Sequence, residues 1–105
     1  PNDASAWINK VTALDHQGEH DGAILASEKA LEIDPNDASA WNSKGWALNN
    51  FGKYEEAIQA LDKALEIDPN YATAWNNKGY ALKLLERTTE ADVAFAKAKK
   101  LGYTG

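Results

Sequence analysis

Ala30-Leu31-Glu32-Ile33-Asp34-Pro35-Asn36 returns letter for letter as Ala64-Leu65-Glu66-Ile67-Asp68-Pro69-Asn70, 34 residues further on. Outward from this heptapeptide, the same interval relates Pro1-Asn2 to Pro35-Asn36, Trp7 to Trp41 and Trp75, and Lys10 to Lys44 and Lys78. Ala13, Ala47 and Ala81 keep it too, as do Leu14, Leu48 and Leu82, and Ala30, Ala64 and Ala98. The 105 residues therefore read as one unit written three times, over 1–34, 35–68 and 69–102, with a tail at 103–105. Repetition at this period marks stacked supersecondary units, none of which buries its apolar face alone. No linker separates the copies, so a single domain is expected.

Each copy carries two helical stripes. In the second, Trp41, Gly45 and Leu48 fall three or four apart, the spacing of one helix face. Gly52 ends that helix, because glycine accepts the left-handed conformation past a helix end. Tyr54, Ala57, Ile58, Leu61, Ala64, Leu65 and Ile67 form the second stripe. Pro69 closes the unit, and Asn70 is expected to cap the next helix. The same reading places helices at Ala4 to His16, Asp21 to Ile33, Ser39 to Asn50, Tyr54 to Ile67, Thr73 to Leu85 and Thr89 to Leu101. Helices this short are marginal alone, so stacking must stabilise them.

Composition removes several function classes. Charged residues make up 26% and the net charge is -5, ordinary for a folded domain and wrong for a nucleic-acid binder, which needs basic patches to displace counterions. There is no cysteine, hence no disulfide, thiolate metal site or cysteine nucleophile. No apolar run approaches the roughly 20 residues that cross a bilayer, and nothing resembles a signal peptide, so no membrane partner and a cytoplasmic location are expected. The absence of methionine, even at position 1, suggests a piece of a longer chain.

A 34-residue helix-turn-helix with this order of tryptophan, small residue, leucine, alanine, bulky residue, alanine and proline resembles a tetratricopeptide repeat. The second copy matches through Trp41, Gly45, Leu48, Gly52, Tyr54, Ala57, Leu61, Ala64 and Pro69. The third matches through Trp75, Gly79, Leu82, Ala91, Phe95 and Ala98, and the first through Trp7, Leu14, Gly18, Ala23, Ala30 and Pro35. The resemblance implies an all-α fold, a right-handed superhelical array of three antiparallel helix-turn-helix hairpins, six helices with no separate capping helix. Departures are also visible. Lys10, Lys44 and Lys78 stand where the family usually has leucine. Val11 replaces the glycine of Gly45 and Gly79, so the first hairpin is expected to pack less closely. Ser27 stands at the position of Leu61 and Phe95, His20 at that of Tyr54, and Glu86 and Thr88 replace a turn glycine and tyrosine.

Catalysis finds little support. His16 and His20 are four apart, a metal-ligand spacing, but Gly18 lies between them at a turn and no third ligand follows. The carboxylates Glu28, Glu32, Glu55, Glu56, Asp62 and Glu66 scatter over the second helices instead of converging on a cleft. No phosphate loop or nucleophile motif is present. No enzyme, metal or cofactor is expected.

The resemblance implies that the first helices line a concave groove where a peptide lies. The inward positions are then Ser5, Ile8, Asn9, Thr12 and Asp15; Ser39, Asn42, Ser43, Trp46, Asn49 and Asn50; and Thr73, Asn76, Asn77, Tyr80, Lys83 and Leu84. Asn9, Thr12, Asn42, Ser43, Trp46, Asn49, Asn76, Asn77, Tyr80 and Lys83 are the candidate peptide contacts. Asparagine can pair with both polar groups of a peptide backbone, or it can simply solvate the face. Trp46 and Tyr80 stand either as apolar anchors or as packing between neighbouring first helices. Some relatives hold a terminal carboxylate with a lysine, asparagine and arginine clamp. The corresponding Ile8, Thr12, Ser43, Thr73 and Asn77 carry no cation, which disfavours that mode. A protein or peptide partner is the leading reading. The alternative is a homo-oligomer stacked end to end through an uncapped last helix exposing some of Val93, Ala94, Ala98 and Leu101.

Overall fold

The computed structural model describes residues 3–104; Pro1, Asn2 and Gly105 lie outside the described residues, and with them the first Pro-Asn pair. Six helices and no strand occur among the described residues: α1 (Ala4–His16), α2 (His20–Ile33), α3 (Ala38–Asn50), α4 (Tyr54–Ile67), α5 (Ala72–Leu84) and α6 (Thr88–Lys100). They pair in chain order as three hairpins, α1 with α2, α3 with α4 and α5 with α6. Each helix of the sequence reading is present to within one residue at either end.

The caps explain the shifts. Asp3 and Asp37 sit at the N-caps of α1 and α3, where their carboxylates accept from Ser5 N at 2.9 Å and Ser39 N at 2.9 Å. Asn70 does not cap α5 as expected. The Asp68 carboxylate takes the Asn70 N–H at 3.1 Å, closing the Pro-Asn turn, and the cap position falls to Tyr71, which makes no side-chain cap bond.

The helix ends follow one pattern. At Gly52, φ is +82°, the Gly52 N–H reaches the Asn49 carbonyl at 3.0 Å, and the Lys53 N–H reaches Leu48 at 2.9 Å. Gly18 repeats this geometry after α1. After α5 the position is Glu86, at φ +62°, where a side chain costs about 1–2 kcal/mol. Glu86 is exposed. Glu86→Gly is therefore expected to stabilise the protein by about 1 kcal/mol, a rise of roughly 4–8 °C in thermal midpoint for a domain near this size. An unchanged or lower midpoint in a melting curve would contradict the strain assigned to this turn.

Within each hairpin, one close contact sets the helix separation. A Cβ at Gly45 would lie 2.5 Å from Leu61 Cγ, and one at Gly79 would lie 2.8 Å from Phe95 Cδ1. In the first hairpin the volumes are exchanged, Val11 facing the helix that carries Ser27, with both 0% exposed. The Ser27 hydroxyl donates to the Ile24 carbonyl at 2.6 Å, so its polar atom is satisfied. The expected loose packing of this hairpin is thus corrected: the valine is balanced by the serine across the seam.

Successive hairpins join through the first helix of one and the second helix of its predecessor. Ile24 of α2 packs against the cluster of Val11, Ala23, Ala26 and Ala47, and Ile58 of α4 against that of Leu48, Ala57, Ala60 and Ala81. The unexpected lysines span these junctions. Lys44 Nζ lies 5.5 Å from the centre of the Trp41 ring and 3.6 Å from the Glu28 carboxylate of the hairpin before. Lys78 does the same with Trp75 at 5.5 Å and Asp62 at 2.7 Å. The stem covers the tryptophan while the ammonium pairs across the junction.

Contacts between hairpins are one-sided. α1 approaches α3, and α3 approaches α5, yet no Cα of α2 comes within 8 Å of α4, nor of α4 within 8 Å of α6. The first helices therefore lie on the inside of the curve and the second helices fan out on its outside. The outer separation leaves a furrow of about 740 Å³ over Ile24, Trp41, Leu48 and Ala60. No helix among the described residues is long and apolar enough to cross a membrane.

Candidate functional site: the inner face of the array

On the inner face, Thr12 of α1, Asn42, Ser43 and Trp46 of α3, and Thr73 and Asn77 of α5 converge on one pocket of about 290 Å³. Tyr103, beyond α6, completes its wall. All seven lining residues are uncharged. Trp46 is half-buried, its inner edge against the Val11–Ala47 cluster and the His16 ring edge-on at 6.1 Å. Asn77 Nδ2 donates to Asn42 Oδ1 at 3.0 Å, tying α5 to α3 below the pocket.

Five of the ten candidate contacts, Thr12, Asn42, Ser43, Trp46 and Asn77, are brought together here. Asn49 is not a groove contact. It is only 3% exposed, its Nδ2 donates to the Asn77 carbonyl at 3.0 Å, and its Oδ1 is buried without a partner, so it belongs to the seam between α3 and α5. Tyr80 is 45% exposed, its ring edge-on to Tyr54 at 6.5 Å, and does not line the pocket. Asn76 lines a separate hollow with Phe95, Lys99, Gly102, Tyr103 and Thr104. Asn9 and Lys83 are exposed outside the pocket.

The 34-residue period places Tyr103 in the tail. The signal that would have found it is Gly102, a helix-stopping residue at φ +104°. It returns the chain, so that the Tyr103 N–H bonds the Ala98 carbonyl at 3.0 Å and the ring folds toward α5.

The other candidate residues fall elsewhere. His20 Nδ1 donates to Asp15 Oδ1 at 2.6 Å, and Asn50 of the next hairpin donates to the same carboxylate, so the two histidines have separate partners. No group of three metal-binding side chains forms among the described residues. The Arg87 guanidinium, paired with Glu90 at 2.9 Å through two hydrogen bonds, holds that carboxyl below its ordinary range and is itself raised by it; both are outside the groove. Of the apolar residues expected to be uncovered on the last helix, Val93 is 64% exposed and Leu101 half-buried, while Ala94 and Ala98 are buried. Val93 and Leu101 share the repeat positions of Leu25 and Ile33, themselves 61% and 38% exposed.

Family models agree with this geometry. One described as "Tetratricopeptide repeat" matches residues 4–37 and 72–101, another of the same description matches 26–59, and one described as "TPR repeat" matches 47–85. The chain belongs to the tetratricopeptide repeat family. Among solved structures, the second TPR domain of Spaghetti (RPAP3), bound to the HSP90 peptide SRMEEVD, superposes with a TM-score of 0.87 at 23% identity, covering 93% of this chain and 91% of that one. The first domain of human RPAP3 gives 0.91 at 22% identity, over 94% and 78%. MamA gives 0.85 at 26% identity, over 95% of this chain and 58% of that one. A search of curated proteins returned no match.

Proposed function

We propose that this tetratricopeptide repeat domain, built of repeats 1–34, 35–68 and 69–102, is a non-enzymatic interaction module that holds an extended, uncharged peptide segment on its inner face. The observation that carries the reading is the charge-free lining of the inner pocket in a chain where 26% of residues are charged. Trp46 and Tyr103 offer two aromatic walls for an apolar side chain. Between them Thr12, Ser43 and Thr73 supply hydroxyls, and the Asn42–Asn77 amides supply donors and acceptors for a peptide backbone. An aromatic wall with a few convergent polar groups is the usual construction of a peptide hot spot.

The first and second TPR domains of Spaghetti (RPAP3) are bound to the HSP90 peptide SRMEEVD, which is acidic. Here Thr12, Ser43, Thr73 and Asn77 present no cation to carboxylates, and burying them unpaired is unfavourable. SRMEEVD is therefore expected to bind about tenfold or more weakly than the best uncharged heptapeptide, a difference of about 1.4 kcal/mol. Titration of an uncharged heptapeptide library, followed by the Trp46 indole N–H resonance, tests this. Binding should move that resonance and be lost in Trp46→Ala, with helicity by circular dichroism confirming the fold. A library that leaves the resonance unmoved, or equal binding by Trp46→Ala, would discard the groove.

A further inference from the structure

We propose that the outer furrow between α2 and α4 is a second binding site, distinct from the inner pocket. Its occupant is a short amphipathic helix of a partner protein that carries an acid, an aliphatic pair and a base in that order along one face. The furrow has a floor and two walls. Trp41, Lys44 and Leu48 of α3 form the floor, with Ile24 and Leu25 of α2 on one side and Gln59 and Ala60 of α4 on the other. Leu25 is 61% exposed, so one rim is apolar as well. Covering that rim and floor removes apolar surface from water.

The next furrow along the array shows that this opening depends on its own residues. The same floor recurs there as Trp75, Lys78 and Leu82, but the hollow is about 240 Å³ against about 740 Å³, and its lining takes nothing from α4. The residue equivalent to Leu25 there is Gln59. Lys53 and Glu56 are replaced by Arg87 and Glu90, which pair with each other through two hydrogen bonds of 2.9 Å. In the first furrow Lys53 instead lies 5.3 Å from the centre of the Phe51 ring, and Glu56 joins no ion pair among the described residues. The wider furrow therefore keeps charge that its neighbour has neutralised.

That charge is sorted along the furrow, and the sorting defines the occupant. Asp21 and Glu56 stand in the first turns of α2 and α4, whereas Lys63 stands seven residues after Glu56, about 10 Å further along the axis. None of these three joins an ion pair among the described residues. Lys44 and Glu28 pair with each other at 3.6 Å and add no net charge. One end of the trough is thus acidic and the other basic. An occupying helix meets both ends with residues seven apart, and its residues three and four after the first fill the apolar floor between them. It runs antiparallel to α2 and α4. That direction puts the acid in its first turn, facing Lys63, and the base in its last, facing Asp21 and Glu56, the arrangement its own macrodipole favours. A second copy of this chain does not present such a face. Among the described residues, the exposed large apolar pair four apart is Tyr80 and Leu84, and Asn76 and Asn77 precede it where the acid is required.

The test uses the whole chain, isotopically labelled, and three peptides on an alanine and glutamine background. The first is lactam-constrained as a helix, with glutamate at i, leucine at i+3 and i+4, and arginine at i+7. The second exchanges the glutamate and the arginine, and the third is an unconstrained version of the first with a central proline that prevents helix formation. Amide resonances of Leu25, Gln59 and Lys63 should shift with the first peptide, which should bind about fivefold more tightly than the second. Lys63→Glu, at an exposed position and checked for retained helicity, should abolish that preference, and Leu25→Glu should weaken both peptides. The proposal is overturned if the first peptide leaves those amides unmoved, if the second binds the parent equally well, or if Lys63→Glu keeps the parent's preference. Equal binding by the proline peptide would assign the furrow to an extended segment and overturn it too. So would mass growth of the chain alone with concentration, suppressed by Leu25→Glu, which would assign the furrow to a second copy. Shifts confined to Trp46 and Thr12 would report the inner pocket instead, so failure of this site and failure of the inner-face reading are seen separately.

Discussion

Gly45→Val is expected to destabilise the domain by about 3 kcal/mol, and adding Leu61→Ser is expected to restore at least half of that loss. The first substitution places a Cβ 2.5 Å from Leu61 Cγ and 2.7 Å from Cδ2, inside contact distance, before the two methyls are counted. Leu61 is 0% exposed, enclosed by its neighbours on every side, so it cannot swing out to solvent. Overpacking of this kind costs about 1–3 kcal/mol and more where backbone must shift. Helix propensity runs the other way, since valine is favoured over glycine by a few tenths, so the loss is steric. The double variant recreates the Val11 and Ser27 exchange of the first hairpin, where both side chains are fully buried and the hydroxyl bonds the carbonyl three residues back. Leu61→Ser alone leaves a cavity and should cost about 2–5 kcal/mol. Denaturant unfolding of the two singles and the double gives the coupling energy directly. Additive losses would show that the exchange across the first seam is not compensatory.

His20→Ala should cost about 2–3 kcal/mol, more than Asp15→Asn by about 1–2 kcal/mol, although both remove the same pair. The Asp15 side chain is 3% exposed and takes hydrogen bonds from His20 Nδ1 and from Asn50 of the next hairpin. Deleting the imidazole strands a buried carboxylate with one remaining donor, a large penalty. The histidine is 28% exposed, which lets water replace part of what is lost and sets the value below that of a fully buried pair. Asp15→Asn instead removes the buried charge and leaves His20 to solvent. It also places at this position the residue type that Asn49 has in the second copy. Equal losses in denaturant unfolding would mean that burial of the Asp15 charge is unimportant to the junction.

Much of the architecture was readable because it is periodic. A tryptophan, a lysine and a proline returning every 34 residues can satisfy one packing scheme only if each unit repeats the same hairpin. Helix limits were accurate to a residue, since capping aspartates and stop glycines act locally. The lysines were legible as a departure recurring at a fixed interval, but their acids were not. Glu28 and Asp62 lie 16 residues before Lys44 and Lys78, and only the packing of one hairpin on the next brings them together.

The inner pocket shows where periodic reading fails. Trp46 and Tyr80 occupy the same repeat position, yet Trp46 lines the pocket and Tyr80 pairs with Tyr54. Asn49 looked like a peptide contact and is instead consumed in the seam. Tyr103, outside any repeat position with a groove role, became the second wall because Gly102 turns the chain back.

By itself the sequence determined the hairpins, their number and their order, which follow from interactions within a few residues and from a fixed period. Tertiary structure alone decided which asparagines remain available and which aromatics face the pocket. Those outcomes depend on the neighbour present at each copy. Chemically identical positions such as Ala13 and Ala47 are exposed in one hairpin and fully buried in the next, because only the second has a helix lying against it.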